Sequence, residues 1–399
     1  MAADATYVRR IQLRNYRSIG DCRARLGAFT LVVGPNGAGK SNFIDGLRFV
    51  ADALAQGVEH ALRDRGGVQE VRRRSRGHPR HFEVWLDLNL PGATDGVYGF
   101  RVGAEPNGGF RIQREVCQVL TPLGTPPLAE FEVIDGRVTS LSPLPKQVAP
   151  DRLLLPLASA LAPFDEVYEG LAHMGFYNLN PDRMRELKDP DPGALLLRDG
   201  RNIAAVVREL QHHAPHVWAR ILDFLQGVVP GLTGVEARPL GPKETLEFSQ
   251  RMAGDEHPWR FFAASMSDGT LRTLGVLVAA LQPGRGVPLI GIEEPEIAIH
   301  PGAAVKLTEA LLEASGQRQV LVTTHSPDLL DHPSIGPEAI LAAEAEQGDT
   351  RVAPLDPALT AVVRDRLYSV GELLRMEQIR PDRQAAVPRQ QRLFDGVVR

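Results

Sequence analysis

The chain has 399 residues, 43% of them apolar, with a formal net charge of −4. It can bury a large core, and its slight acidity excludes coating nucleic acid by overall charge, so any such contact must come from a local patch. The two cysteines, Cys22 and Cys117, stand far apart without C-x-x-C spacing; that excludes a disulfide framework or cysteine zinc site and reads as core thiols in a reducing compartment.

In chain order, Met1–Thr6 lacks an apolar signal region, and no run approaches the roughly 18 apolar residues of a membrane span, so a cytoplasmic protein without a membrane segment is expected. Tyr7–Leu13 reads as a strand before the polar turn Asn15-Tyr16-Arg17-Ser18. Phe29–Val33 is a buried strand by composition, and GPNGAGKS over Gly34–Ser41 follows it, a complete G-x-x-x-x-G-K-[ST] loop. Phe43, Ile44, Leu47, Val50, Ala51 and Leu54 then fall at helical spacing. Strand, glycine loop and helix together are what phosphate binding needs: backbone N–H groups converge on the anion and the helix N-terminus adds its positive end. Gly34, Pro35, Asn36, Gly37, Ala38, Gly39, Lys40, Ser41 and Asn42 are therefore assigned to a nucleoside triphosphate, with Lys40 reaching the β- and γ-phosphates and Ser41 a Mg²⁺ ligand.

Arg63–His81 contains seven arginines. It reads either as a solvated basic loop or as a phosphate-backbone contact to DNA or RNA through Arg72, Arg73 and Arg74. No aromatic residue interleaves before Phe82, so single-strand stacking is not indicated. Residues 81–138 alternate with Gly-rich turns, which predicts an antiparallel meander. A Pro-rich connection at 141–163 leads to a helical region, where Ile203, Val206, Val207 and Leu210, then Trp218, Ile221, Leu222 and Leu225, keep helical spacing.

From Phe261 helices and buried strands alternate again. Ser267-Asp268-Gly269-Thr270 opens a helix, as a plain cap or as a second anion-binding end. The apolar run Leu289–Ile292 ends in two carboxylates: Glu293 would hold the metal and Glu294 would orient or deprotonate the attacking water. A turn containing Glu296 and His300 (read as a packing residue) precedes a helix from Pro301 to Gly316. Val320–Thr323 then delivers His325 at the carboxyl end of a core strand, where ligands sit in parallel α/β sheets. Beyond Gly371 the chain turns polar, with 381–391 expected to be flexible. Gln390-Gln391-Arg392-Leu393-Phe394 resembles peptides that dock sliding clamps; the alternative is that Leu393, Phe394, Val397 and Val398 fold back on the core.

This set resembles the ABC-type ATPases, in their RecF-like and overcoming-lysogenization-defect-like branch (AAA family, AAA_21 type). The resemblance also rests on Ile11–Ser18 and on Glu293-Glu294-Pro295-Glu296. It implies an α/β P-loop NTPase with ABC-ATPase head architecture: a core parallel sheet, an antiparallel β subdomain and an inserted helical lobe. The cofactors would be ATP and Mg²⁺. Ser267 and Gly269 would belong to the signature motif that reaches a partner's γ-phosphate in an ATP-bound homodimer, Glu296–Pro301 to the D-loop, and His325 would be the switch histidine. Catalysis would rest on Lys40, Glu294 and His325, and the metal on Ser41 and Glu293. Most of these enzymes carry Asp where Glu293 stands, the signature departs from LSGGQ, and Gln113, Gln118 and Asn178–Asn180 compete for the glutamine-loop position. Neither zinc-hook coiled coil nor Toprim nuclease is evident, so the chain reads as the ATPase core: 1–150 the phosphate-loop and meander lobe, 151–265 the helical lobe, 266–370 the signature-to-switch segment, 371–399 a tail. It would serve as a switch in DNA repair or phage defence with a separate effector protein; the alternative is a non-hydrolysing ATP-dependent scaffold.

Overall fold

The computed structural model describes residues 7–385, apart from 76–78, 107, 122–126, 141, 253, 255, 256 and 285. Arg76 and the Gln390–Phe394 peptide lie outside the described residues. Among the described residues, thirteen strands form one sheet and three form another.

The phosphate-loop strand Phe29–Val33 sits inside the large sheet, between Gln319–Thr324 and Ile340–Glu346, both parallel to it. Leu289–Glu293 and then the short strand Gly175–Tyr177 extend the parallel part to the sheet's edge. Gln319–Thr324 is buried at every position, as expected for a strand covered on both faces. The register pairs Glu293 with Thr323 and Thr324 with Val33. One edge of the sheet thus gathers the phosphate loop, the paired glutamates and His325.

On the other side the hairpin Ile340–Glu346/Asp349–Pro354 meets Ile19–Arg25 through Thr350 and Ile19. From there the sheet runs antiparallel through Tyr7–Tyr16, His81–Leu90, Thr94–Ala104, Phe110–Leu120, Ala129–Ile134 and Arg137–Ser140. The expected meander is present, but it continues the same sheet that carries the nucleotide loop.

Two cores follow from strand alternation. Val32, Leu289 and Leu321 point to the side where helix Lys40–Gln56 packs with Phe43, Leu47 and Phe49. Leu31, Val33, Ile290, Ile292, Val320 and Val322 point to the other, under helices Ile203–His213, Pro215–Val228, Asp268–Leu281 and Pro301–Ser315. In the first core Phe49 and Phe82 meet edge to face at 5.3 Å, with Tyr16 5.6 Å from Phe82. Truncating such a buried ring costs about 3–5 kcal/mol. The helical segment holds more than helices: Leu232–Leu240, Lys243–Gln250 and Trp259–Phe262 form the separate antiparallel sheet, and Gly175–Tyr177 joins the main one.

Candidate active site

Gly39 precedes helix Lys40–Gln56 at φ 90° and supplies no side-chain cap. That left-handed backbone suits glycine, and a Cβ there would stand 2.2 Å from Thr350 Oγ1 on the hairpin behind it. The first amide groups of the helix are left for an anion. Lys40 is buried, its Nζ donating to the carbonyls of Gly34 at 2.9 Å and Pro35 at 3.2 Å. Burial lowers its pKa, against the pull of Glu294 and Glu296. Asn42 turns away to donate to Ser18 Oγ at 2.7 Å, bracing the loop's helix against the turn after the first strand.

Glu293 ends its strand half-buried, and the Ser41 hydroxyl hydrogen-bonds it. Burial raises the Glu293 pKa; Ser41 and Arg48 oppose that rise. Two hard oxygen donors at one point fit Mg²⁺, which takes one or two protein oxygens and completes its shell with phosphate and water. Among the described residues no group of three or more His, Cys, Asp or Glu builds an all-protein cage.

Glu294 sits at φ 44°, a conformation costing a non-glycine residue about 1–3 kcal/mol. Its N–H donates to the Thr323 carbonyl at 2.9 Å. The carboxylate lies between two groups: Lys40 Nζ is 3.9 Å and His325 Nδ1 3.3 Å from Glu294 Oε1. Glu296 supports this arrangement. It is 8% exposed, and its Oε1 accepts from the Thr324 hydroxyl at 2.6 Å and the His325 N–H at 3.2 Å. Glu296 therefore holds the Thr324–His325 segment, a contact that its place in the Glu293–Glu296 motif and the turn does not show. His300 caps helix Pro301–Ser315 through Nδ1, which accepts from Gly302 N–H at 3.1 Å.

Ser267 caps helix Asp268–Leu281, Oγ accepting from Thr270 N–H at 3.2 Å. A Cβ on Gly269 would lie 2.2 Å from the Ala298 carbonyl, so the helix start packs directly on the turn that follows Glu294.

A profile of the family described as "AAA domain, putative AbiEii toxin, Type IV TA system" (AAA_21) matches residues 29–101 and 157–331, more than half of the chain. The chain belongs to this family. It is therefore an ATPase-type, nucleotide-binding protein. Among solved structures, the Smc head bound to the C-terminal winged-helix domain of ScpA resembles it with a TM-score of 0.56 at 14% identity, covering 88% of this chain and 99% of that one. The Smc head with an extended coiled coil, bound to the C-terminal domain of ScpA and derived from Pyrococcus furiosus, gives 0.56 at 13%, covering 91% and 99%. These likenesses show an ABC-ATPase head fold. No curated protein matches the chain.

Within this AAA_21 chain the glutamine-loop candidates separate by strand order. Gln113 and Gln118 lie on the antiparallel strand Phe110–Leu120, Gln118 donating to Glu130 at 3.0 Å. Asn178 directly follows Tyr177, which pairs with Ile292, and so stands at the sheet edge beside Glu293. A three-residue strand is too short for periodicity to reveal.

The basic segment needs correcting. It starts at the end of helix Val58–Arg63 and contains helix Val68–Val71, and four of its arginines are engaged within the chain. Arg72 donates to Gln69 at 2.7 Å and to the Pro79 carbonyl at 2.9 Å; Arg73 pairs with Asp349 at 2.8 Å; Arg74 pairs with Glu70. Arg65, with its side chain 1% exposed, binds Asp45 and Asp52. Arg72 and Arg73 are thus not free for a phosphate backbone, while Arg74 and Arg80 stay exposed.

Asp45 carries no sequence motif, being an acid inside helix Lys40–Gln56. It gathers Tyr16 Oη at 2.8 Å, Arg17 Nε at 2.7 Å, Arg65 Nε at 3.0 Å and Arg48 Nη2 at 2.5 Å. Burial works to raise its pKa, but the three arginines outweigh it and hold the carboxyl below its ordinary range.

Proposed function

We propose that this chain binds Mg-ATP, pairs head to tail with a second copy around two nucleotides, and hydrolyses ATP, so that nucleotide state switches the pair between closed and released. The observation that carries this reading is the meeting of Lys40 and His325 at one oxygen of Glu294, at 3.9 and 3.3 Å. A scaffold that only bound nucleotide would need the lysine but would have no use for a carboxylate held against a histidine.

In this scheme the loop amides and Lys40 bind the phosphates, and Ser41 and Glu293 hold Mg²⁺, which supplies charge neutralisation when bound. Glu294 accepts the proton of the attacking water, and His325 fixes the direction of that carboxylate. Ser267 and Gly269 present a helix N-terminus to the γ-phosphate held by the partner copy. The setting would be the cytoplasm; no helix of the described residues is long and apolar enough to cross a membrane. The ScpA domains bound to the Smc heads support a separate partner protein here, and the toxin–antitoxin wording of the family description supports phage defence ahead of DNA repair. DNA contact through Arg72, Arg73 and Arg74 drops out of the reading.

The test is Glu294→Gln, which removes the base and leaves the phosphate loop intact. With ATP it should accumulate as a dimer by light scattering after size exclusion, while Lys40→Ala should bind no nucleotide. A Glu294→Gln protein that stays monomeric with saturating ATP would rule out the sandwich.

A further inference from the structure

The metal carboxylate carries a second, built-in cation. Arg198, in the segment between strand Gly175–Tyr177 and helix Ile203–His213, donates from Nη2 to Glu293 Oε1 at 3.1 Å. Its backbone is braced independently of that contact. The Arg198 carbonyl accepts from Asn178 N–H at 3.0 Å, the Asp199 carbonyl accepts from Asn180 N–H at 3.1 Å, and the buried Asn202 side chain accepts from Leu197 N–H at 2.9 Å. The segment therefore does not need the ion pair to hold its place. The Arg198 side chain is 46% exposed, whereas the Glu293 side chain is 16% exposed, so water can receive the arginine far more readily than the glutamate.

On the reading of Ser41 and Glu293 as the metal pair, we propose that Arg198 is a tethered competitor for the divalent cation. A guanidinium and Mg²⁺ on one carboxylate repel each other, and the carboxylate cannot give both its full charge. Arg198 must move off Glu293 for the metal to bind at full strength. Its braced backbone keeps it poised to return when the metal leaves. Arg198 is thus a positioning residue that sets metal affinity and keeps Glu293 paired between metal-binding events.

The experiment titrates Mn²⁺ into protein saturated with ADP and reads free Mn²⁺ by electron paramagnetic resonance, without turnover. Arg198→Ala and Arg198→Gln should each bind Mn²⁺ about tenfold more tightly, intermediate between the effects of exposed and buried ion pairs. Arg198→Lys, which keeps the cation, should stay close to wild type. Glu293→Gln should lose the site. If both neutral variants bind Mn²⁺ no more tightly than wild type while Glu293→Gln loses it, the competitor role is wrong and the metal reading stands. If Glu293→Gln keeps wild-type affinity, the metal reading itself fails.

Discussion

Replacing Asp45 by Ala probes the joint that ties the nucleotide-loop helix to the rest of the first core. The change removes one acceptor from four donors and leaves Arg65, almost wholly buried, with Asp52 at 2.8 Å, the Ala61 carbonyl at 2.9 Å and the face of Phe49 at 5.2 Å. Breaking a buried ion pair from one side costs about 3–5 kcal/mol. Arg17 and Arg48 are partly open to water and would each add at most about 1 kcal/mol. Because Arg65 keeps these three partners, the low end applies, so Asp45→Ala should destabilise by about 3 kcal/mol, a large part of a typical 5–15 kcal/mol. Urea unfolding followed by circular dichroism measures this, provided one cooperative transition covers the first core. The sharper assay is a double-mutant cycle. Once Asp45 is gone, Arg65→Met removes an orphaned charge, so it should cost about 1–3 kcal/mol less in the Asp45→Ala background than in wild type. Additive costs, or an Asp45→Ala protein within about 0.5 kcal/mol of wild type, would refute the reasoning.

Two further expectations concern pH and chemistry. Glu115 is fully buried, accepting from Leu154 N–H at 2.5 Å, Leu155 N–H at 3.1 Å and Tyr98 Oη at 3.0 Å; burial pushes its pKa from 4.5 up to about 7 against those donors. A raised folded-state pKa means its contribution is complete below pH 4.5 and is lost as pH rises through 7. Wild type should therefore lose on the order of 2–3 kcal/mol relative to Glu115→Gln between pH 5 and 8 in parallel urea titrations, and a flat difference would refute the shift. His325→Ala should keep ATP affinity, since the ring contacts the carboxylates of Glu294 and Glu296, and should lower kcat about 100-fold; loss of binding by fluorescent-nucleotide titration would make His325 structural instead.

The readable parts of this chain were those whose physics is local. The phosphate loop is contiguous, its strand and helix have opposite periodicities, and Glu293, Glu294 and His325 follow apolar runs that can only be buried strands. Contacts made across the sheet left no such trace. Arg198 reaches Glu293 through strand order, Glu296 reaches Thr324 through the register of Leu289–Glu293 on Gln319–Thr324, and Asn178 follows a strand too short to show alternation. The arginine-rich segment misled for the same reason: charge density in sequence says nothing about partners such as Asp349, far along the chain.

The placement of Phe29–Val33 also dictates when the protein can begin to work. Both neighbours of that strand, Gln319–Thr324 and Ile340–Glu346, are made roughly 300 residues after it. During synthesis at roughly 5–20 residues per second, the nucleotide strand would wait on the order of 15–60 s for its partners to be made. The consecutive antiparallel strands between His81 and Ser140 need no such delay, since each pairs with the next. The meander can form on the ribosome as an early platform, while an apolar strand beside it stays unpaired and open to wrong contacts until residues 319–346 have been made. A ribosome stalled before residue 319 would hold a folded platform without an ATPase.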